Sequence, residues 1–204
     1  MVKVKVCGIT NLDDAQAATG MGADMLGFVF YKKSPRYISP KRALDIISNL
    51  PQHVEKVALF VNEKEENVRA ILNQIKEIGI LQFHGEETPQ YCGSFNKAVI
   101  KAVRVKDAQS IKALSLYEVN YFLLDAFKED AYGGTGEKFN WELAKEAKSY
   151  KIPIILSGGL NPENVEEAIR VVEPFMVDVS SGVEISPGKK DPELIKKFME
   201  VVKK

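Results

Sequence analysis

The chain has 204 residues, of which 45% are hydrophobic and 27% are charged, and its 28 basic residues balance its 28 acidic ones. This is the ordinary composition of a globular domain, so it excludes a disordered chain, a collagen-like chain and a coiled-coil rod. Because the formal net charge is zero, it also argues against a nucleic-acid or anionic-membrane partner held by bulk charge.

The start of the chain and its cysteines indicate the compartment. The segment MVKVKVCGIT alternates Lys with Val, which is typical of a strand and unlike the apolar core of a signal peptide. No uncharged apolar run approaches the ~18–20 residues that a membrane span needs. The two cysteines, Cys7 and Cys92, are too few for a disulfide scaffold. The sequence therefore predicts a cytoplasmic protein without a membrane partner.

Short apolar runs rich in β-branched residues recur along the whole chain, at intervals of roughly 20–30 residues. Runs of this length without polar alternation are typical of strands that are covered on both faces, as in a parallel sheet. The runs are VKVKVCG from Val2, DMLGFVF from Asp24, VEKVALFV from Val54, ILQFHG from Ile80, KAVIKAV from Lys97, NYFLLDA from Asn120, IPIILSGG from Ile152 and FMVDVSSG from Phe175.

Amphipathic stretches with helix start signals lie between most of these runs. An N-capping residue, in three cases followed by Pro, stands at Asn11, Ser39-Pro40, Asn161-Pro162 and Asp191-Pro192. About eight alternations of strand and helix predict an α/β protein that forms a single (β/α)8 TIM barrel over residues 1–204. The alternative is an open doubly wound sheet, but CGITNLDD after the first strand lacks the G-x-G-x-x-G turn.

In such a barrel the reactive groups sit at the carboxyl ends of the strands. The longest irregular segments, YKKSPRY and AFKEDAYGGTGEKF, would lie on the same face, and the GGTG segment of the second is predicted to be a mobile lid. Polar residues at the predicted strand ends or in the loops that follow are Cys7, Arg36, Asn62, His84, Arg104, Asp125, Ser157, Asp178, Ser180 and Ser181.

Two glycine-containing loops indicate a phosphate site. SGGLNPENV places Gly158 and Gly159 directly between the seventh strand and a helix start, where free backbone N–H groups attract an anion. DVSSGVE repeats the arrangement after the eighth strand with Ser180, Ser181 and Gly182. These are the usual phosphate-binding loops of the fold, although such glycines can also serve only to make tight turns.

Cys7 and Asp125 are candidates for proton transfer. Cys7 stands at a strand end, where a thiol biased toward thiolate is a competent base, although most buried cysteines are structural. Asp125 follows the apolar Phe122-Leu123-Leu124, a setting that favours a protonated carboxyl group; its alternative role is a cap or a salt bridge.

Arg36 and His84 are candidates for substrate contacts. The planar fork of Arg36 matches a carboxylate, but a loop arginine can also simply be solvated. His84 can equally be a hydrogen-bonded structural residue. No His pair or Cys/His cluster has the spacing of metal ligands, so we expect no metal site.

Taken together, these segments resemble one family. KVCGIT, GADMLGFVFYKKSPRYIS, QFHGEE, LLDAF with YGGTGEKFNW, LSGGLNPENV and DVSSGVEISPGKKD occur in the order found in phosphoribosylanthranilate isomerases, the Amadori isomerases of tryptophan biosynthesis. The resemblance runs from Val4 to near the C-terminus. It implies a (β/α)8 barrel that converts N-(5-phosphoribosyl)anthranilate to 1-(2-carboxyphenylamino)-1-deoxyribulose 5-phosphate without a cofactor.

The resemblance also implies roles for single residues. Cys7 would be the general base and Asp125 the general acid, while Arg36 in Ser34-Pro35-Arg36 would hold the anthranilate carboxylate. Asp178 would bind a ribose hydroxyl, and the only partner expected is a small-molecule phosphosugar. Apart from the resemblance, the strand-end position of His84 makes it a candidate substrate-binding residue, and the sequence leaves open whether the chain is a monomer or a homodimer.

Other functions of the same fold remain as alternatives. Indole-glycerol-phosphate synthase would use a lysine and a glutamate inside the barrel. The histidine-pathway isomerase resembles a duplicated half-barrel with paired aspartates, whereas here the first strand ends in Cys7 and the halves do not repeat. A barrel that binds a phosphorylated metabolite without turnover is a third possibility, and an assay of turnover distinguishes it.

Overall fold

A computed structural model describes residues 1–126 and 141–204 of the chain. The GGTG segment that the sequence predicts to be a lid lies outside these residues. In this part of the chain, none of the helices has the length and apolar character that a membrane crossing requires.

Eight parallel strands close into a barrel in chain order, and the last strand pairs with the first. The predicted TIM barrel is confirmed, and the open doubly wound sheet is excluded. Each of the eight apolar runs supplies one strand. The strands are β1 (Lys3–Cys7), β2 (Met25–Val29), β3 (Glu55–Phe60), β4 (Ile80–Phe83), β5 (Ala98–Val105), β6 (Tyr121–Ala126), β7 (Ile154–Leu156) and β8 (Met176–Val179).

Helices connect these strands and surround the barrel. Several are short, and 3₁₀ turns at Ala113–Leu116 and Lys148–Tyr150 follow the fifth and sixth helices. The helices are α1 (Leu12–Gly20), α2 (Pro40–Ile47), α3 (Glu65–Gln74), α4 (Pro89–Gly93), α5 (Ala108–Lys112), α6 (Trp141–Ala147), α7 (Val165–Val172) and α8 (Pro192–Val202).

Three of the four predicted helix caps are confirmed. The side chains of Asn11, Ser39 and Asp191 accept hydrogen bonds from backbone N–H groups in the first turns of α1, α2 and α8. The prediction at Asn161 is wrong: its side chain accepts from the N–H groups of Glu163 and Asn164, each at 3.0 Å, and closes a separate turn. Helix α7 therefore begins only at Val165, and the glycines after β7 do not lead directly into it.

The barrel interior is apolar toward the amino ends of the strands. Since side chains alternate between the two faces of a strand, one face points into the barrel and the other toward the helices. The helix-facing side forms the large core, in which Phe28, Phe60, Phe83 and Phe198 are at most 1% exposed. A separate cluster fills the interior below the carboxyl end, and its buried members are Met25, Val57, Ile80, Ile100, Ala102, Leu123, Ile155 and Met176.

The chain between β8 and α8 forms a small addition to the barrel. A 3₁₀ turn at Ser181–Val183 leads into a two-stranded antiparallel hairpin of β9 (Glu184–Ser186) and β10 (Lys189–Lys190). This hairpin brings Glu184 and Lys190 to the carboxyl end of the barrel, beside Arg36 and Cys7.

Candidate active site

A pocket at the carboxyl ends of the strands encloses about 680 Å³, including the space at its open mouth. Every predicted site residue except Gly182 lines this pocket, and all of them belong to the described part of the chain. The lining residues are Cys7, Val29, Tyr31, Ser34, Arg36, Leu59, Val61, Gln82, His84, Asp125, Ser157, Gly158, Gly159, Leu160, Asp178, Ser180 and Ser181.

Gly158 and Gly159 form a turn that other residues would strain. Their φ angles of +91° and +73° lie in the left-handed region that favours glycine. The side-chain nitrogen of Asn164 donates to the Gly159 carbonyl at 2.9 Å, and the side-chain oxygen of Asn164 accepts from the Asn161 N–H at 2.9 Å. The turn is thus fixed by Asn164 rather than by a helix that starts beside it.

Gly182 lets the loops after β7 and β8 approach each other. A Cβ atom at this position would overlap the backbone carbonyl of Leu160. The residue therefore acts on the pocket through the close contact of the two loops, while its neighbours Ser180 and Ser181 line the pocket itself.

Cys7 ends β1 with its side chain at the floor of the pocket and is 6% exposed. Its backbone carbonyl accepts hydrogen bonds from Ser180 Oγ at 3.0 Å and from the ammonium group of Lys190. These contacts fasten the end of β1 to the segments that follow β8.

A buried ion pair lies next to Cys7 inside the barrel. Lys5 is fully buried, and its Nζ donates to Asp178 Oδ1 at 2.8 Å. Ser157 Oγ donates to the other oxygen of Asp178 at 3.1 Å. Both carboxylate oxygens of Asp178 thus have a protein partner, although a carboxylate can accept further hydrogen bonds from a ligand.

Burial raises the pKa of the Cys7 thiol, because it removes water from the thiolate. The positive charge of Lys5 and its hydrogen bond to the sulfur oppose this rise in pKa, as does the charge of Lys190, whereas Asp178 adds to it. Desolvation and the neighbouring cations thus act on the Cys7 thiol in opposite directions, and desolvation is the larger of the two influences.

Asp125, His84 and Gln82 form a second group in the pocket. Asp125 is 3% exposed, and its Oδ2 lies 3.2 Å from Nε2 of His84. The two atoms are close enough for an ion pair but are not aligned for a hydrogen bond. Nδ1 of His84 lies 3.2 Å from the amide nitrogen of Gln82. Since an amide nitrogen is only a donor, this assignment leaves the proton of a neutral His84 on Nε2, facing Asp125.

Arg36 lines the pocket but is not a solvated loop residue. Its Nε and Nη2 atoms donate to the two oxygens of Glu184 at 2.9 and 2.6 Å. Burial alone would lower the pKa of the guanidinium, but the paired Glu184 carboxylate raises it above the ordinary value. The pair fixes the plane of the guanidinium, and Nη1 takes no part in it.

Two strand-end residues that the sequence singles out do not join the site. Asn62 holds the loop after β4: its N–H donates to Glu87 at 2.7 Å and its side chain accepts from the Glu86 N–H at 2.6 Å. Arg104 pairs with Glu86 at 3.1 Å and is absent from the pocket lining among the described residues. Both residues support loops rather than the pocket.

Lys5 and Glu184 are among the residues that the structure adds to those that the sequence predicts. The alternation of Lys with Val in the first segment indicates only a strand, yet Lys5 shares the interior face with Cys7 two residues later. That spacing of two is the signal that points to it. No such signal exists for Glu184, since it meets Arg36 across 148 residues of sequence. Among the described residues, no group of three or more His, Cys, Asp and Glu side chains could hold a metal ion.

Comparison with known proteins gives one consistent result. The family model described as "N-(5'phosphoribosyl)anthranilate (PRA) isomerase" matches residues 4–201. N-(5'-phosphoribosyl)anthranilate isomerase of Trichlorobacter lovleyi is 49% identical over 199 residues, which cover 98% of this chain and 97% of the relative.

Solved structures of other phosphoribosyl anthranilate isomerases share the fold. Phosphoribosyl anthranilate isomerase from Thermotoga maritima is 46% identical with a TM-score of 0.93, covering 100% of this chain and 99% of that one. A phosphoribosyl anthranilate isomerase in complex with reduced 1-(o-carboxyphenylamino)-1-deoxyribulose 5-phosphate is 45% identical with a TM-score of 0.90, at the same coverage. The chain therefore belongs to the N-(5'-phosphoribosyl)anthranilate isomerase family.

Proposed function

We infer that the chain is an isomerase of tryptophan biosynthesis that converts N-(5-phosphoribosyl)anthranilate to 1-(2-carboxyphenylamino)-1-deoxyribulose 5-phosphate. We propose that Cys7 is its general base and Asp125 its general acid. The observation that carries this assignment is that both side chains line one pocket, from β1 and β6, with the glycine turn of Gly158 and Gly159 in the same lining.

The reaction needs one acid and one base. An acid protonates the ring oxygen of the ribose while the lone pair of the anthranilate nitrogen forms an imine and the ring opens. A base then removes the proton from the adjacent ribose carbon, and the resulting enolamine tautomerises to the ketone. Asp125 supplies the first proton and the Cys7 thiolate takes the second, so that acid and base act on two atoms bonded to the same ribose carbon.

The two ends of the substrate are negatively charged and need separate sites. The phosphate is bound by the loops after β7 and β8, through Gly158, Gly159, Ser180 and Ser181, while Gly182 keeps those loops together. The anthranilate carboxylate pairs with Arg36, whose orientation the ion pair with Glu184 fixes. Asp178 and His84 line the space between and contact the sugar.

The remaining expectations concern the chain as a whole. Residues 1–204 form one catalytic domain, whose partner is the small-molecule phosphosugar. Cytoplasmic location and assembly as a monomer or a homodimer stay predictions, and light scattering after size-exclusion chromatography decides between the two assemblies.

The test is a turnover assay with Asp125→Asn. N-(5-phosphoribosyl)anthranilate generated from anthranilate and phosphoribosyl pyrophosphate is fluorescent, and isomerisation removes the signal. We expect the wild type to consume it and Asp125→Asn to lower kcat by about 10²-fold or more, because the amide keeps the shape but has no acidic proton. Asp45→Asn, on the exposed side of α2, is the matched control and should keep full activity.

Each outcome has one meaning. A wild type that binds the fluorescent substrate without consuming it would support a phosphometabolite-binding barrel and contradict the inferred isomerase. If Asp125→Asn turns over like the wild type at neutral pH, Asp125 is not the acid, and His84 and Asp178 are the next residues to substitute.

A further inference from the structure

The buried Lys5–Asp178 pair has a position that folding alone does not require. Lys5 stands on the interior face of β1, where the register of the barrel places it beside Met25 of the apolar layer on β2 and beside Asp178 on β8. Replacing a buried ion pair by apolar side chains is often neutral or stabilising, so an ion pair between the apolar layer and the pocket needs another reason to be there.

Gly27 on β2 keeps space for Lys5 beside the thiol. A Cβ atom at this glycine would lie 2.7 Å from Cys7 Sγ and 3.1 Å from Lys5 Nζ. Any larger residue would push into both atoms. The ammonium group of Lys5 and the sulfur of Cys7 therefore both lie against the space beside Gly27, which stays open because glycine has no side chain.

Charged groups of both signs surround Cys7. Three cations and two carboxylates from four strands and one loop surround it, and His84 and Asp125 line the same pocket from β4 and β6. Arg36 and Lys190 share one carboxylate, Glu184, while Asp178 is paired with Lys5. The charged groups are Lys5 on β1, Arg36 after β2, Asp178 on β8, Glu184 on β9 and Lys190 on β10.

We propose that Lys5 is a positioning residue whose buried ammonium group is the counter-charge of the Cys7 thiolate, and that Asp178 holds this ammonium in place and limits its effect. The inference rests on the proposed base role of Cys7 and deepens it. When the thiol loses its proton to water, the thiolate gains a cation beside it that is already desolvated and oriented. Lys190 donates its hydrogen bond to the backbone carbonyl of Cys7 rather than to the sulfur.

The two members of the pair should act on the thiol in opposite directions. Without Lys5, Asp178 faces the sulfur uncompensated, so the thiolate is disfavoured. Without the carboxylate of Asp178, the positive charge of Lys5 acts on the sulfur uncompensated, so the thiolate is favoured. A merely structural role would instead loosen the site in both variants and move the thiol in one common direction.

The experiment measures the rate at which the neutral reagent iodoacetamide alkylates Cys7 as a function of pH, since only the thiolate reacts. It is followed by mass spectrometry, and Cys7→Ser gives the background from Cys92. We expect Lys5→Met to be alkylated about tenfold more slowly than the wild type at pH 8, with the midpoint at higher pH. Asp178→Asn should be alkylated faster, with the midpoint at lower pH.

A second variant covers the case in which Lys5→Met does not fold. The double variant Lys5→Met/Asp178→Asn leaves no unpaired charge, and its midpoint should lie above that of Asp178→Asn alone. Lys101→Met is the matched control, because Lys101 forms a buried pair with Glu87 at 3.0 Å away from the pocket lining. It should leave the midpoint of Cys7 unchanged.

Two results would overturn the proposal. One is that Lys5→Met does not change the pH midpoint of Cys7 alkylation, either alone or in the Asp178→Asn background. The other is that Lys5→Met and Asp178→Asn shift this midpoint in the same direction. The base role of Cys7 is tested separately by turnover. If the midpoints move as expected while Cys7→Ala keeps normal turnover, the counter-charge role of Lys5 stands and the base role of Cys7 fails. If Cys7→Ala loses turnover while the midpoints do not move as expected, the base role of Cys7 stands and the counter-charge role of Lys5 fails.

Discussion

The two ends of the barrel interior are built from the same strands but have opposite chemistry. Leu123, Ile155 and Met176 are buried in the apolar layer, and two residues farther along each strand stand Asp125, Ser157 and Asp178 of the pocket. Since alternate residues of a strand share one face, a single step of two residues turns a packed interior into a reactive one.

The difference teaches how stability and function are divided along a strand. The apolar layer has no polar group to satisfy, so it can be packed densely and hold the strands in fixed relative positions. The pocket residues above it, which we call the polar layer, include polar atoms without a hydrogen-bond partner. Among the described residues, His84 Nε2 and Gln82 Oε1 are two such buried atoms. Such groups are costly for folding and available to a substrate.

The strongest test of this division removes the thiol. Cys7→Ala should lower kcat by roughly 10²–10⁴-fold, the usual effect of losing a positioned base, while the KM and the unfolding midpoint in urea change little. Cys92→Ala is the matched control. Burial raises the pKa of Cys92 to about 11, and its place in the apolar core on α4 gives it no route to the substrate. That variant should keep full kcat; near-normal kcat in Cys7→Ala would remove Cys7 from the mechanism.

The converse test makes a hole in the apolar layer. Leu123→Ala should lower the free energy of unfolding by about 2–5 kcal/mol, because Leu123 is fully buried and the cavity cannot collapse completely. The kcat of the folded fraction should stay within a few-fold of the wild type, as measured by urea denaturation and by turnover at 25 °C. Leu116→Ala, at a side chain that is 67% exposed, should change stability by less than about 0.5 kcal/mol. A loss of turnover as large as that of Cys7→Ala would contradict the division.

The sequence predicts the apolar layer and much of the pocket for the same reason. Uninterrupted apolar runs are typical of parallel strands, and strand ends mark the reactive face, so the pattern of the sequence alone places Cys7 and Asp125 on that face. What it does not predict are relations between distant segments. The ion pair of Arg36 with Glu184 and the close approach that Gly182 allows depend on how loops meet, which no local pattern contains.

The wrong prediction of a helix cap at Asn161 shows that local sequence also has limits in predicting where a helix begins. Asn followed by Pro is a helix start signal, but an Asn side chain can also close a turn with the N–H groups that follow it. Here the side chain of Asn164 ties that turn to Gly159, and the helix begins at Val165, whereas a cap at Asn161 would start it at Pro162. Local preference leaves two conformations open, and the contacts of the pocket loop select one.

The third test asks whether the polar layer separates binding from proton transfer. Arg36→Met should raise the KM about 10- to 100-fold and lower kcat less, because a charged hydrogen bond to the anthranilate carboxylate is lost. Glu184→Gln is the companion variant: it frees the guanidinium without removing it, and should raise the KM less than Arg36→Met does. An analogue without the carboxylate that bound the wild type as tightly as the substrate would contradict the assignment.

The smallest expected effect concerns pH, and it distinguishes the two layers by their response to protons. Burial alone would raise the pKa of Glu184, but its hydrogen bonds and charge interactions with Arg36 and Lys190 outweigh burial, and the pKa lies below its ordinary value of 4.5. A carboxylate whose pKa is lowered by folding stabilises the native state above the unfolded-state pKa, and this stabilisation is lost as pH falls through the folded-state pKa.

The unfolding free energy of the wild type should therefore exceed that of Glu184→Gln at pH 7, by on the order of 1 kcal/mol, and the difference should shrink as pH falls below about 4.5. Urea denaturation at pH 7, 5 and 3.5 measures it. The difference between the wild type and Leu123→Ala should be the same at each pH, because Leu123 lies in the apolar layer and its side chain does not titrate. If the Glu184→Gln difference were equally independent of pH, the ion pair of Glu184 would add nothing to stability, and only the packing of its side chain would remain to explain the variant.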